Sequence, residues 1–283
     1  MTTRLRADVF VTTMLPVVPT QPVPEGVTPL WQPTTATLIS GANEAILIDA
    51  TCTFQQAEEL ANWIAGIGKR LTTIYVTHGH GDHSFGIPTL LRRFPDARAF
   101  ATAQTIDHLS SQISDPLWDQ LFPGQISRPQ TLPEELSDDR LELEGHEIRV
   151  VSAGQSDTAD TTFVHVPEIG LVVAGDIVYN DVHQYLVESH DEELRAGWIA
   201  SLHKIQALNP HAVVAGHKRP GAVDSPSNVE ATIQYIEAFG RALKASKSAE
   251  DLYTRTLEAY PHRVNPFIAW WSCSTAFAKT HPS

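Results

Sequence analysis

The chain has 283 residues, of which 42% are hydrophobic and 19% charged, and its formal net charge at pH 7 is −13. This length suffices for one large domain or two small ones, and the apolar content excludes a globally disordered chain. The acidic excess argues against nucleic acid or an anionic membrane surface as a partner, because both require a basic surface.

Two further classes of protein are disfavoured by the sequence. With only two cysteines, Cys52 and Cys273, a disulfide framework is excluded, and reduced thiols in the cytoplasm are expected. The apolar stretch at residues 9–18 is interrupted by polar residues and Pro16 and lacks a small-residue cleavage site, so no signal peptide is predicted. No run of about 18 uninterrupted apolar residues occurs, so no membrane-spanning helix is predicted either.

The first part of the chain predicts strands alternating with helices after an irregular start. Residues 16–33 contain six prolines, which fix φ and lack a backbone donor, so this segment is expected to be irregular surface chain. Thr53 is the expected N-cap of the first helix. Apolar spacing predicts strands over residues 35–39, 45–49, 72–76 and 98–101 and helices over residues 54–67, 87–94 and 105–112.

The second part begins with residues 115–139, which show no periodicity. This segment carries Trp118, Phe122 and four prolines, and it is a candidate lid. Apolar spacing then predicts strands over residues 141–143, 147–151, 162–166, 171–174 and 212–215 and helices over residues 192–208, 229–243, 250–259 and 266–278. Since no linker separates two units, we expect a single mixed α/β domain over residues 1–283, with ligand sites at strand ends.

A histidine-rich loop follows the strand predicted at residues 72–76. In the sequence Thr-His-Gly-His-Gly-Asp-His, three imidazoles and a carboxylate fall within six residues: His78, His80, Asp82 and His83. The glycines allow the backbone to bend tightly, so these side chains can converge. Imidazole and carboxylate together are ligands for Zn²⁺ and other first-row divalent ions. The loop therefore predicts a metal site.

Further donors follow other predicted strands. Asp176 and His217 each come directly after an apolar strand and a glycine, and the strand that ends near Ala153 is followed by Gly154 and Gln155. A single Asp or His after a strand more often caps or turns the chain. Together with the histidine-rich loop, however, they form a coherent set, because a metal site requires ligands from several strand ends.

The order His-x-His-x-Asp-His, a later glycine-linked turn, Gly-Asp and Gly-His resembles the metallo-β-lactamase superfamily over roughly residues 35–220. The resemblance implies an αββα sandwich with a binuclear metal site along one edge, holding one or two Zn²⁺ per chain, with Mn²⁺ or Fe²⁺ as alternatives. It also implies ligands for metal 1 at His78 and His80, ligands for metal 2 at Asp82, His83 and His217, and a bridging ligand at Asp176.

Gln155 is the main departure from the family pattern, because it stands where the family has a third histidine for metal 1. A neutral amide oxygen is a much poorer ligand for Zn²⁺ than imidazole. Three interpretations remain open: Gln155 binds metal 1 weakly, metal site 1 is empty or exchangeable, or a neighbour such as Asp157 or Asp160 takes its place.

The implied activity is metal-assisted hydrolysis of a small carbonyl compound such as a lactone, lactam, ester or cyclic carbamate. A bound divalent ion lowers the pKa of water from 15.7 towards about 7 and so supplies hydroxide, and Asp82 and Asp176 are the expected catalytic carboxylates. The pattern is closest to the glyoxalase II and lactonase branches, since the net charge disfavours RNA processing. The alternatives are an iron-dependent oxidoreductase of the same fold and a metal-binding homologue with reduced activity.

Substrate contacts are expected from the candidate lid and from the loop after Asp176. An apolar flap over a metal edge suits a small, neutral, hydrophobic substrate, because ligand pockets are mostly apolar with a few polar anchors. The sequence leaves the oligomeric state open, with a homodimer as one candidate. The candidate substrate residues are Trp118, Phe122, Tyr179, His183 and Tyr185.

Overall fold

The computed structural model describes residues 4–280 as two β-sheets packed face to face. The strands in these residues, in chain order, are β1 (Arg6–Val11), β2 (Leu15–Pro16), β3 (Leu30–Trp31), β4 (Thr35–Ser40), β5 (Glu44–Ile48), β6 (Arg70–Tyr75), β7 (Arg98–Ala101), β8 (Glu134–Glu135), β9 (Arg140–Leu143), β10 (His146–Gly154), β11 (Thr161–Val166), β12 (Leu171–Val173), β13 (Tyr179–Asn180), β14 (Ala212–Val214) and β15 (His217–Lys218).

The helices lie on the outer faces of the two sheets and at the edge where the strands end. They are α1 (Phe54–Ile67), α2 (Ile87–Arg93), α3 (Ala103–Ser114), α4 (Leu117–Leu121), α5 (Glu192–Ala207), α6 (Ser227–Ala245), α7 (Ala249–Ala259) and α8 (Pro266–Thr280), with short 3₁₀ turns at Gly81–His83, Pro167–Ile169 and Gly175–Ile177. Among residues 4–280, none of these helices is long and apolar enough to cross a membrane.

The first sheet has the strand order β1-β4-β5-β6-β7-β8, and the second has the order β14-β12-β11-β10-β9. In the first sheet β5, β6, β7 and β8 run parallel, whereas β1 and β4 are antiparallel to their neighbours. In the second sheet only the β12–β14 pair is parallel. The carboxyl ends of β5, β6, β10, β12 and β14 are all followed by loops at one edge of the sandwich, where they build the site described below.

The inner faces of the two sheets form one continuous core. Ile39, Ile46 and Ile48 of the first sheet pack with Val150 and Val164 of the second, and each of these side chains is at most 5% exposed. Strands buried on both faces read as apolar runs, which explains why the sequence predicts them well.

The outer faces of both sheets are covered by helices. Leu60 and Ile64 of α1 pack on the first sheet, while Trp198 of α5 and Ile236 of α6 pack on the second. This order of layers is the αββα sandwich, so the predicted fold class is confirmed. Burial of these side chains is the main favourable contribution to the free energy of folding.

Two segments that were predicted to be irregular are partly ordered in the structure. The candidate lid at residues 115–139 is not wholly irregular, because it contains α4 and β8, and its aromatic residues Trp118 and Phe122 are 3% and 0% exposed. The proline-rich segment at residues 16–33 is not only surface chain, because β2 pairs with β3 and Trp31 at its end is 7% exposed. In both segments long-range contacts, which local periodicity does not encode, order the chain.

The N-terminus of α1 offers a direct test of the local sequence analysis. The hydroxyl of Thr53 accepts a hydrogen bond from the backbone N–H of Gln56, whose side chain accepts in turn from the Thr53 N–H. Thr53→Ala removes one half of this capping box, so we expect the free energy of unfolding to fall by about 1 kcal/mol. Urea denaturation measures the change. Thr53→Ser serves as the control, and an equal loss in both variants would contradict the capping role.

Candidate metal centre

The histidine-rich loop and the other strand-end donors meet at one edge of the sandwich. The loop follows β6, Asp157 follows β10, Asp176 follows β12 and His217 follows β14. All of the ionisable side chains brought together here are almost fully buried: His78, His80, Asp82, His83, Asp157, Asp176 and His217, each at most 7% exposed.

The first group of donors consists of His78, His80, Asp157 and Asp176, whose ligand atoms all lie within 4.8 Å of one another. His80 Nδ1 lies 3.0 Å from Asp157 Oδ2, and His78 Nε2 lies 4.0 Å from Asp176 Oδ2. Three of these atoms are buried without a hydrogen-bond partner: His78 Nε2, Asp157 Oδ2 and Asp176 Oδ1. Unpartnered buried polar atoms that converge on one point fit a bound cation.

The second group consists of Asp82, His83 and His217, and its ligand atoms also lie within 4.8 Å of one another. Asp176 stands between the two groups, with Oδ1 3.1 Å from His83 Nε2 and Oδ2 2.9 Å from His217 Nε2. Asp82 Oδ2 lies 3.5 Å from His217 Nε2. The arrangement therefore places two adjacent groups of possible metal ligands on either side of one carboxylate.

Gln155, the main departure from the family pattern, has its amide nitrogen held by two neighbouring residues. Its amide nitrogen donates to the Ser156 carbonyl and to the Ser189 hydroxyl, each at 3.0 Å, so the side chain is directed into this loop. Asp157 supplies the carboxylate that faces His80. Of the three interpretations left open by the sequence, the geometry favours replacement by a neighbour, and that neighbour is Asp157.

Every histidine of the centre has one ring nitrogen held by an acceptor outside it. His217 Nδ1 donates to the Pro33 carbonyl at 3.0 Å, and His83 Nδ1 donates to Asp49 Oδ2 at 3.0 Å. His80 Nε2 donates to Glu188 at 2.9 Å. His78 Nδ1 lies 3.0 Å from the Thr77 hydroxyl, which donates to Asp49.

These contacts place one proton of each ring on its outward nitrogen. The inward nitrogen is then the one that would ligate a metal ion.

Two neighbouring aromatic residues hold the carboxylates. Trp31 Nε1 donates to Asp82 Oδ2 at 2.9 Å, and the Tyr179 hydroxyl donates to Asp176 Oδ2 at 2.9 Å. Burial, together with the adjacent Asp176 charge, raises the pKa of Tyr179, so its hydroxyl remains a donor. Tyr179 was expected to contact substrate, but the structure places it behind Asp176 as a support.

The electrostatics of the centre require positive charge. Asp82, Asp157, Asp176 and Glu188 line the adjoining cavity, and no lysine or arginine does so among residues 4–280. Burial raises the pKa of Asp157, whereas for Asp176 the nearby His217 and His83 outweigh burial and lower the pKa. Burial and the charge of His83 lower the pKa of His78, which favours the neutral ligand form. Buried carboxylates whose basic neighbours are histidines alone form a favourable site for metal ions.

The cavity beside the centre has aromatic and aliphatic walls. Trp31, Trp118 and Trp271 form one side, and Trp31 meets the other two indoles edge-on at centroid distances of 5.4 and 6.2 Å. Leu117 and Leu121 of α4 continue this wall. The candidate lid thus contributes a fixed, apolar wall next to the metal centre.

Of the candidate substrate residues, the structure places Trp118 and Tyr185 in the cavity wall. Phe122 lies outside the lining and packs against Trp118. His183 lies outside the lining, and its Nδ1 lies 2.9 Å from the Tyr235 hydroxyl within the core. There, burial and the charge of Arg263 lower the pKa of His183 to about 3, so it remains neutral.

Sequence reasoning missed several residues of the site, and three of them bear on its charge and its aromatic wall. Trp31 lies at the end of the proline-rich segment, Glu188 lies in the loop after Asp176, and Trp271 lies on α8, whose apolar composition suggested only core packing. Burial tends to raise the pKa of Glu188, but the charge of His80 outweighs it and lowers this pKa to about 2. The sequence places Glu188 in the loop that follows Asp176. Position in a loop near one candidate ligand is, on its own, weak evidence for a site residue.

Two curated proteins are similar to this chain in sequence. An atrochrysone carboxyl ACP thioesterase of Aspergillus fumigatus is 26% identical over 225 residues, which is 78% of this chain and 44% of that protein. A second atrochrysone carboxyl ACP thioesterase, from Cryptosporiopsis sp., is 25% identical over 182 residues, which is 64% of this chain and 47% of that protein. The chain spans about half the length of the curated relatives it matches.

Solved structures show the same fold. A metallo-β-lactamase from Pontibacter korlensis superposes with a TM-score of 0.61 at 18% identity, covering 84% of this chain and 98% of that chain. The FIM-1 metallo-β-lactamase from Pseudomonas aeruginosa, in a mono-zinc form, superposes with a TM-score of 0.59 at 18% identity, covering 84% and 94%. The family model of the metallo-β-lactamase superfamily matches residues 29–217, and the chain therefore belongs to that superfamily.

Proposed function

We propose that this chain is a metal-dependent hydrolase of a small, uncharged carbonyl compound. The observation that carries the proposal is the pair of buried donor groups that share Asp176 beside an apolar cavity. An ester, thioester, lactone, lactam or cyclic carbamate presents the carbonyl carbon that such a site attacks.

In this proposal the two donor groups hold two Zn²⁺ ions. His78, His80 and Asp157 would hold the first ion, Asp82, His83 and His217 the second, and Asp176 would contact both. Imidazole and carboxylate donors suit zinc, with Mn²⁺ or Fe²⁺ as alternatives. When bound, such ions supply Lewis acidity and lower the pKa of water towards about 7.

The protein's own contribution is orientation and proton transfer. Asp82 and Asp176 line the cavity, and each has one oxygen fixed by a hydrogen bond from Trp31 or Tyr179. A carboxylate positioned beside the nucleophile can accept its proton and later deliver it to the leaving group. The indole wall excludes water from the acyl side and orients an apolar substrate.

Two observations support the substrate class. The lining carries four carboxylates and, within the part of the chain described, no lysine or arginine, so an anionic substrate would be repelled unless the metals bind it. Both curated relatives are named thioesterases, although the chain spans about half of each. Thioester hydrolysis is therefore the first reaction to test, together with ester and lactone hydrolysis.

The first experiment measures turnover and metal content together. The zinc-loaded chain should hydrolyse aryl thioesters, esters or lactones, and removal of zinc by a chelator should abolish turnover, which zinc alone should restore. Metal analysis of protein purified without added metal identifies the resident ion. Iron without hydrolytic turnover would contradict the proposal and favour oxidoreductase chemistry.

The second experiment separates Asp157 from Gln155. Asp157→Ala removes a carboxylate that faces His80, so we expect bound zinc to fall from two ions to about one and kcat to fall about a hundredfold or more. Gln155→Ala is the matched control, because its side chain donates to Ser156 and Ser189, and it should retain both ions. Equilibrium dialysis followed by metal analysis measures both. Loss of zinc in the Gln155 variant alone would refute the assignment.

The third experiment tests the position of Asp176 through its neighbour Gly216. A Cβ at residue 216 would lie 2.0 Å from Asp176 Oδ1 and 2.6 and 2.8 Å from backbone atoms of Gly175 and Asp176. Gly216→Ala must therefore displace the shared carboxylate together with the backbone that carries it. We expect kcat to fall about a hundredfold while thermal unfolding remains cooperative. Gly66→Ala is the control, because a Cβ there meets no atom within 4 Å. Full activity with normal zinc content in the Gly216 variant would contradict the shared role of Asp176.

A further inference from the structure

Gln32 is a buried polar residue in the cavity wall that nothing in the metal centre uses. It lines the cavity together with Asp82 and His217 and is 2% exposed. Its amide oxygen, Oε1, is buried and has no hydrogen-bond partner among residues 4–280. Buried amide oxygens are nearly always paired, so an unpaired one at a ligand cavity points to a partner that the ligand supplies.

The residues on both sides of Gln32 are hydrogen-bonded to the metal centre. The Trp31 indole N–H donates to Asp82, and the backbone carbonyl of Pro33 accepts from His217 Nδ1. Two residues further on, the backbone N–H of Thr35 donates to the Gly216 carbonyl at 2.8 Å. Gln32 is therefore held at a set position relative to the donor groups, which is the arrangement that a specificity residue requires.

The other amide in the cavity wall is not free in this way. Gln112 Oε1 accepts from Trp118 Nε1 at 2.8 Å, and its nitrogen lies 3.3 Å from His108 Nε2. The carboxylates of the lining face histidines, Trp31 and Tyr179. Gln32 Oε1 is thus the uncharged acceptor of the lining that has no hydrogen-bond partner among residues 4–280.

We propose that Gln32 is a specificity-determining residue that accepts a hydrogen bond from a hydroxyl group on the acyl part of the substrate. The substrate class is then a hydroxy-substituted, neutral acyl ester or thioester whose apolar portion packs against the indoles of Trp31, Trp118 and Trp271. This proposal rests on the proposed hydrolase function and adds the group that the enzyme selects. A carboxamide discriminates well, because an analogue without the donor leaves the amide buried and unpaired.

The test measures binding, so that it is independent of turnover. The probes are 3-hydroxyacetophenone and 4-hydroxyacetophenone, which carry a carbonyl that cannot be hydrolysed, and the matched 3-fluoro- and 4-fluoroacetophenones, which cannot donate. Dissociation constants for zinc-loaded protein are measured by calorimetry and by quenching of tryptophan fluorescence. In the natural protein, we expect at least one hydroxy isomer to bind about tenfold more tightly than its fluoro analogue.

Variants of Gln32 test whether its side chain causes the tighter binding of the hydroxy compounds. Gln32→Leu should reduce the preference to about twofold or less, leaving zinc content and the affinity for the fluoro analogues unchanged. Gln32→Met provides a second apolar replacement if the leucine variant does not fold. Gln32→Glu, which keeps an acceptor, should retain a preference for the hydroxy compound.

Two results would overturn the proposal. One is equal binding of hydroxy and fluoro compounds to the natural protein, which would mean that water alone satisfies Gln32. The other is a preference that survives in the leucine and methionine variants, as direct coordination of the phenol to zinc would produce. If discrimination depends on Gln32 but no ester or thioester is hydrolysed, the proposed hydrolase function fails while the binding role of Gln32 stands.

Discussion

The carboxylate of Asp176 is the group on which the candidate site depends. It is 3% exposed, and its two oxygens lie 3.1 Å from His83 Nε2 and 2.9 Å from His217 Nε2. A buried carboxylate is costly unless cations or strong donors surround it, so its position constrains every neighbouring residue. The space for it exists because residue 216 is glycine, since any larger side chain would occupy the same volume.

The sandwich holds this carboxylate rigidly because the supporting strands belong to both sheets. β6 delivers the histidine-rich loop from the first sheet, whereas β12 and β14 deliver Asp176 and His217 from the second. Asp49, at the end of β5, binds both Thr77 and His83, and so ties the loop to the first sheet. Asp49 has φ of 65°, a left-handed conformation that Asp tolerates better than most residues. The hydrogen bonds of Asp49 therefore hold the candidate ligands in place relative to the first sheet.

The sequence predicts most of the strands, the main helices and the candidate metal ligands because those signals are local. Buried strands, the N-cap Thr53 of α1 and the His-x-His-x-Asp-His loop are each contained within a short window. Asp157 could only be offered as one alternative, because β10 carries an irregularity between Ser152 and Gly154 that changes the direction of the chain before the loop. Trp31 was missed because its burial depends on Trp118 and Trp271, which lie far away in sequence.

In the proposed site, Asp176 would contact both metal ions and Asp157 would be a ligand of the first. Anomalous diffraction at the zinc absorption edge, on crystals of the zinc-loaded chain, tests it most directly. The account predicts two anomalous peaks, one contacted by His78, His80 and Asp157 and the other by Asp82, His83 and His217, with Asp176 in contact with both. A peak bound by Gln155 in place of Asp157, or two peaks that do not share Asp176, would contradict it.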